Sequence, residues 1–497
     1  MEQNKREFLE TVCKIYMTAL LVLVPLATGG SYWKLGDRKY LIFRNVSLLC
    51  LGIWLLVTLS VFLAGFVQKS INNHLSQYAW SPVDICMLLY AISVVISALA
   101  SAFRVTAWLG YQDWYMGALS QLLFVGGYFF VSRYCTSAAF VVYLGEAAFL
   151  VVILIAFLNR LGLDPLGMYQ PFAENEWEYS HMLSTAGNIN WLCGYCSVAI
   201  ALPMAGYLYT KRRGKEIILY LCSVLGLTLL CIQGSDGGVM VAMVGIGICL
   251  LVGIRKAQFF KKGLLLTLGV CLLFPTMGRL ITMLGAQNAT PVDGGIYEKM
   301  CWNGWWLIAL FLAVVYLVHG SMKGKAQRHV AQTLIGIGVA MAAGMCLYVW
   351  GKLDNVAFES LGSGRGKLWQ LAWEAFVTGD WKQKLIGAGP DCYAEYLTRL
   401  GMRPVITDEG YWAGAVFANA HNEWLNQLVN LGIVGTGAYL AIFVCGLKRY
   451  KGMLLGVLVL GMYGVHSLVS FQQVLNAPLL FLVLGMCEAT CRKNNDP

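Results

Sequence analysis

This sequence predicts an all-α fold, a polytopic bundle of about 12–14 transmembrane helices with one long, mainly helical loop on its outer face. Three observations carry that expectation. Hydrophobic residues make up 58% of the 497 residues and charged residues only 12%, whereas a soluble domain carries about 25% charged residues. Apolar runs of spanning length recur along the whole chain, which has a mean hydropathy of +0.63. A single long hydrophilic segment interrupts them, from about Gly351 to Ala420. The 16 Trp, 25 Tyr and 22 Phe suit the boundary between lipid and water, where amphipathic rings collect.

A helix crosses the hydrocarbon with about 20 mostly apolar residues. Runs at 12–28, 46–66, 83–102, 116–132, 138–158, 187–209 and 216–233 read as spans. So do those at 237–254, 263–282, 303–319, 330–350, 427–447, 452–465 and 471–488. Lys5, Arg6 and Lys14 flank the first, which contains Pro25 and lacks a small-residue cleavage site, so a retained span is expected rather than a signal peptide. The chain divides into N-terminal transmembrane helices (1–210), middle transmembrane helices (211–350), the large loop (351–426) and C-terminal transmembrane helices (427–497).

Short-loop lysines and arginines mark the cytoplasmic side. One set of loops holds Lys211, Arg212, Arg213 and Lys215, then Arg255, Lys256, Lys261 and Lys262. It continues through Lys323, Lys325, Arg328, Lys448, Arg449 and Lys451 to Arg492 and Lys493. The alternate loops hold Glu174, Glu176, Glu178, Asp293 and Glu298, with Lys299 and the boundary residue Arg160. Both termini and the basic loops are therefore expected in the cytoplasm, and the long loop outside. The segment 29–45 breaks the pattern: its Lys34, Arg38, Lys39 and Arg44 fall outside, either because the first spans begin elsewhere or because they face an anionic ligand or lipid headgroup.

The net charge of +10 sits in these short clusters and not on one face, which argues against nucleic acid. Cysteines such as Cys50, Cys222, Cys231, Cys249, Cys271 and Cys346 lie inside apolar runs and read as small buried hydrophobes rather than as a disulfide framework. No two C-x-x-C motifs occur at zinc-site spacing, so no structural metal is expected.

The long loop reads as folded. It contains Trp369, Trp373, Trp381 and Trp412, and Leu368, Leu371, Ala372 and Ala375 recur at helical spacing. Gly387-Ala388-Gly389-Pro390 then breaks the chain, and an amphipathic stretch from Glu423 to Leu431 runs into the next span.

Four places could carry chemistry. Of the histidines, His74, His319 and His329 lie in or near cytoplasmic loops, His181 in an outer loop and His466 at a span end. His421 instead closes the outer loop, in Ala420-His421-Asn422-Glu423-Trp424-Leu425, where an imidazole can exchange protons at membrane level or simply cap a helix. Gly362-Ser363-Gly364-Arg365-Gly366-Lys367 offers glycine amides at a helix start, a bidentate arginine and a looser lysine, all suited to phosphate oxygens. It also fits a solvated, glycine-rich helix start, and its spacing is not that of an ATP-binding loop. The turn Gln233-Gly234-Ser235-Asp236-Gly237-Gly238 puts Ser235 and Asp236 at the outer surface, either as substrate contacts or as a tight turn. Arg104 is a phosphate contact or an interfacial snorkelling arginine.

These segments, in this order, resemble the O-antigen ligase and polymerase family of membrane glycan transferases. The resemblance is strongest from about Ser363 to Leu440. It rests on Ser363-Gly364-Arg365-Gly366, on Leu385-Ile386-Gly387-Ala388-Gly389-Pro390-Asp391, on Ala420 to Leu425, and on Leu431-Gly432-Ile433-Val434-Gly435. It implies a GT-C-like fold in a bacterial cytoplasmic membrane, an undecaprenyl-pyrophosphate-linked glycan as donor, and a glycan, lipid or wall acceptor, with no metal or cofactor. The family's pyrophosphate-binding arginine falls on Arg365 and its acceptor-side histidine on His421. Lys367, Asn422, Ser235, Asp236 and Arg104 become candidate substrate contacts. Two departures stand out. Many members carry an arginine where this chain has Ser235-Asp236-Gly237, and a basic residue ahead of the glycine in the segment matching Asp113-Trp114-Tyr115-Met116-Gly117. The rival reading is a lipid-linked oligosaccharide flippase or other transporter, which would line a central cavity with charged span residues and need no folded loop.

Overall fold

Lipid offers the backbone no hydrogen-bond partners, so a spanning segment must satisfy its own amides and carbonyls, as a helix does. The computed structural model describes residues 2–67, 80–136, 138–171, 177–291, 295–351, 355–406 and 414–495 and is 78% helical. His74, Glu174, Glu176, Asp293 and Trp412 lie outside the described residues. Among those described, the only strands are Met182–Leu183 and Gly187–Asn188, a two-residue hairpin pairing. The fold is all-α.

Among the described residues, eleven helices are long and apolar enough to cross a membrane, which makes this a multi-pass membrane protein. They are Gln3–Leu26, Leu35–Leu63, Pro82–Ala100, Ala139–Arg160, Ile189–Tyr209, Arg213–Ile232, Asp236–Gly253, Ala257–Leu284, Gly304–Ser321, Gly324–Tyr348 and Glu423–Arg449. The other three expected spans are also helices, Ala118–Tyr134, Leu454–His466 and Ala477–Asn495. The first two are shorter, at 17 and 13 residues, and the third ends on Arg492 and Lys493.

The basic segment 29–45 is corrected by the structure. The second helix begins at Leu35, well before the apolar run, so Arg38, Lys39 and Arg44 are helical. Lys39 is fully buried, and its Nζ donates to the carbonyls of Val24, Pro25 and Ala27, each at 2.9 Å. Those are orphan acceptors at the end of the first helix, where a cation also meets the negative end of the helix dipole. Arg160 plays a similar part. Its guanidinium is fully buried and donates to the carbonyls of Ile232, Ser180, Ala289 and Gln233, closing the end of the helix Arg213–Ile232.

The long loop contributes the helices Asn355–Thr378, Trp381–Ile386 and Tyr393–Arg399. Leu368, Ala372 and Ala375 are fully buried, as their spacing predicts. Trp373 and Trp381, in contrast, are exposed. The Gly362–Lys367 motif lies inside the helix Asn355–Thr378 and not at its start; Gly362 and Gly364 sit there at φ +60° and +89°, a region only glycine enters freely. The break at Gly387 occurs as expected and has a partner. Gly432 interrupts the helix Glu423–Arg449 at φ +65°, freeing carbonyls just before it. The Ala388 amide donates to Val429 (3.0 Å) and the Gly389 amide to Asn430 (2.9 Å), and the Ser97 hydroxyl also donates to Asn430. A Cβ on Gly387 would lie 2.1 Å from the Asn430 oxygen, so glycine is required for this approach.

Helix direction sorts the charges to opposite ends. Asp236 and Glu423 begin helices that finish near Arg255 and at Arg449, the latter on the order of 40 Å away at 1.5 Å per residue. The basic end is pinned by a buried ionic cluster. The Asp84 carboxylate, fully buried, meets Arg133 at 3.3 Å and Arg492, and Glu488 meets Arg449 at 3.0 Å. Tyr128 Oη donates to Asp84 at 2.8 Å. Removing a buried partner leaves uncompensated charge and costs about 3–5 kcal/mol. Asp84→Ala is therefore expected to lower the thermal aggregation temperature of the purified protein clearly. An unchanged temperature would show that the cluster is solvated.

Candidate active site

The aromatic, small and polar residues at the end away from the basic clusters enclose one cavity of about 830 Å³, within the roughly 300–1,000 Å³ typical of ligand sites. Helix starts shape it. Leu35 and Gly36, Ile189 and Asn190, and Ser235 and Asp236 all line it, and each pair opens a long helix. The positive ends of three helix dipoles thus face one space, which favours an anion.

Arg365 and His421 both line this cavity. Arg365 Nη2 donates to Asn190 Oδ1 at 3.1 Å. Burial lowers its pKa, opposed by the charge of Asp236, but a guanidinium remains protonated at any physiological pH. Asp236 is exposed at the cavity. Lys299 supplies a second cation to the lining.

His421 is held in a strained backbone conformation, φ +48°, which for a non-glycine residue costs on the order of 1–3 kcal/mol and clusters at functional sites. Its amide donates to Asn419 Oδ1 at 3.1 Å, and its carbonyl accepts from Trp369 Nε1 at 3.4 Å. The ring stands edge-on to Phe471, with centroids 4.9 Å apart, and faces Phe417 at 5.6 Å. Nδ1 is buried and makes no hydrogen bond. Burial first, and then the charge of Arg365, holds the imidazole pKa down at about 3. The free protein therefore presents a neutral imidazole beside a cation. Both causes move the imidazole away from the proton exchange near neutrality that its place in the sequence suggests.

Three of the other candidates are not brought here, and each has a local reason. Lys367 turns its Nζ to the Ile406 carbonyl at 3.3 Å. Asn422 caps the helix Glu423–Arg449, its Oδ1 accepting from Leu425 N at 3.1 Å. Arg104 is exposed at the start of the short helix Arg104–Leu109, which suits an interfacial arginine. None of the three lines the cavity, and neither do Lys34, Arg38, Lys39 or Arg44. Ser235 and Asp236 do.

Sequence reasoning missed Asn190, Trp114, Trp191 and Phe471. Trp114 and Trp191 lie 5.8 Å apart, and Trp114 meets Phe471 edge-on at 4.9 Å. His181 also reaches the cavity, stacked on Trp177 at 4.1 Å. An asparagine at the start of a span and aromatics on short connectors give no periodic signal, so only the fold could find them. The Leu385–Asp391 motif acts one step away: the Asp391 carboxylate accepts from the amides of Tyr111 and Met116 at 2.7 and 2.9 Å, fixing the loop that carries Trp114. Comparison of the chain with protein-family models and with curated proteins finds no match.

Proposed function

We propose that this protein is a GT-C-like glycan transferase of the O-antigen ligase and polymerase type. It would move a glycan from undecaprenyl pyrophosphate to an acceptor hydroxyl at the outer face of a bacterial cytoplasmic membrane. The observation that supports this most is the convergence of Arg365 and His421, far apart in sequence, on one aromatic-lined cavity at the end of the bundle away from the basic loops. By the short-loop rule those loops belong in the cytoplasm, together with both termini.

The chemistry needs no electron carrier. The acceptor oxygen forms a bond to the anomeric carbon, and the bond from that carbon to the pyrophosphate oxygen breaks with its electron pair staying on the pyrophosphate. The acceptor proton leaves to a base. Pyrophosphate is already a good leaving group, so charge stabilisation and a nearby base are what the protein must add. Arg365 can grip phosphate oxygens in a fork. The helix starts at Leu35, Ile189 and Asp236 add partial positive charge where this chain lacks the two further cations found in many family members. A bound pyrophosphate offsets the field of Arg365, the smaller of the two causes that depress the imidazole pKa after burial, and so raises the basicity of His421.

Transfer and transport differ in bond cleavage. Purified protein in phospholipid nanodiscs, given an undecaprenyl-pyrophosphate-linked oligosaccharide and an acceptor glycan, is expected to release undecaprenyl pyrophosphate in step with lengthened product. A donor that stays intact while crossing the bilayer of a proteoliposome would replace this reading with a flippase.

A further inference from the structure

Behind the cavity lies a second, much smaller space. Its volume is about 20 Å³, enough for one water, which needs about 10–15 Å³. Trp114, Asn419 and Phe471 line both spaces and form the wall between them. On the far side stand two buried carboxylates, Asp391 and Glu423. Glu423 Oε1 accepts from Gln427 Nε2 at 2.6 Å, and its Oε2 from the Gln472 amide at 2.8 Å. Asp391 Oδ2 accepts from the two loop amides already described. Neither carboxylate makes an ion pair among the described residues. Three buried polar atoms around the same space, Gln427 Oε1, Gln472 Nε2 and Asn430 Oδ1, have no hydrogen-bond partner among the described residues.

Two carboxylates lining one low-dielectric pocket with no cation each oppose the other's ionisation, so the doubly charged state is disfavoured near neutral pH. We propose that Asp391 and Glu423 form a proton-accepting pair that takes up, by way of His421 and the Asn419 side of the wall, the proton released from the acceptor hydroxyl. This rests on the glycan-transfer reading. The acceptor O–H bond breaks as the glycosidic C–O bond forms. The proton passes to the His421 imidazole and then to a carboxylate oxygen, taking the pair from one shared proton to two, while the leaving electron pair remains on the pyrophosphate. His421 then conducts the proton and does not store it.

The proton affinities run in that direction. Burial pushes the Asp391 carboxyl up to about 7, with the Tyr111 and Met116 amides opposing and Glu395 adding to the rise, whereas His421 sits far lower. The ionisable groups facing the pair are Glu395 and Cys392 on the Asp391 side. On the Glu423 side they are Tyr90, Tyr439 and Tyr463. All of these are acids, so none neutralises the pair.

Infrared difference spectra of the full-length protein in nanodiscs, recorded across pH, test the pair without needing a substrate. The wild type is expected to show a buried carboxylic-acid band that titrates near neutral pH. Asp391→Asn should remove one component and shift the remaining carboxyl's midpoint down by about one pH unit or more. Glu423→Gln should do the converse, and both variants preserve shape. In the transfer assay with undecaprenyl-pyrophosphate-linked oligosaccharide, the acid limb of the wild-type kcat profile should move to lower pH in Asp391→Asn, in step with the infrared midpoint, with donor KM unchanged. No titrating band in the wild type would overturn the pair. A titrating band with an acid limb unmoved in both variants would overturn its role in proton transfer. A titrating band in a wild type that never cleaves donor would leave the pair standing and remove the transferase reading instead.

Discussion

Turnover of a His421→Gln variant is expected to fall by about 10²–10⁴-fold, the contribution of a positioned general base, and to stay low across about pH 6 to 8. Glutamine keeps a hydrogen-bonding side chain of similar reach but cannot take up a proton. The check is steady-state release of undecaprenyl pyrophosphate by purified protein, with donor binding measured separately. Binding should be largely intact, because Arg365 and the helix starts are untouched. A glutamine variant with near-normal turnover would reduce His421 to a positioning group, and activation by the donor's own phosphate would become the better mechanism.

Arg365→Lys is expected to be nearly as damaging as Arg365→Ala, with each losing about 10²–10³-fold in kcat/KM, the scale for removing one charge-stabilising donor at a reacting oxyanion. The reason is geometric. Arg365 holds Asn190 Oδ1 with one nitrogen, and in the proposed reaction the rest of its planar fork meets phosphate oxygens, whereas an ammonium is a single point charge on a shorter reach. Elution as a monodisperse peak would separate loss of function from loss of fold. If the lysine variant were fully active, a general positive field would be all the site supplies, and the three helix starts with Lys299 would suffice for it.

Much of this arrangement was legible because residue type and position agreed. Arg365 and His421 are a forked cation and an imidazole in a loop next to membrane spans, and their place in that loop singled them out. The same logic misjudged Lys39, because an ammonium that satisfies three carbonyls at a helix end looks, in sequence, like a solvated loop charge. Lys367 and Asn422 sit within two residues of the key groups, yet helix geometry turns them toward a carbonyl and a helix amide. Asn190 and Trp114 were invisible for the opposite reason: they acquire meaning only when the starts of separate helices are brought together. Asp391 and Glu423 were quoted only as parts of motifs, since nothing in one dimension indicates that two acids so far apart face the same small space.

The seam between Ala388–Gly389 and Val429–Asn430 has a mechanical consequence. A loop joined to a membrane helix through that helix's own unpaired carbonyls is not a hinged lid. Its backbone completes the helix, so lifting it at Gly387 would strip hydrogen bonds from the buried kink at Gly432. Loop and helix are thus one lever, and a force applied to either at this point is felt by both. Because the same helix begins at Glu423, two residues after His421, that end of the lever carries the imidazole, and any tilt of the span within the bilayer would change the depth at which that ring sits in the cavity.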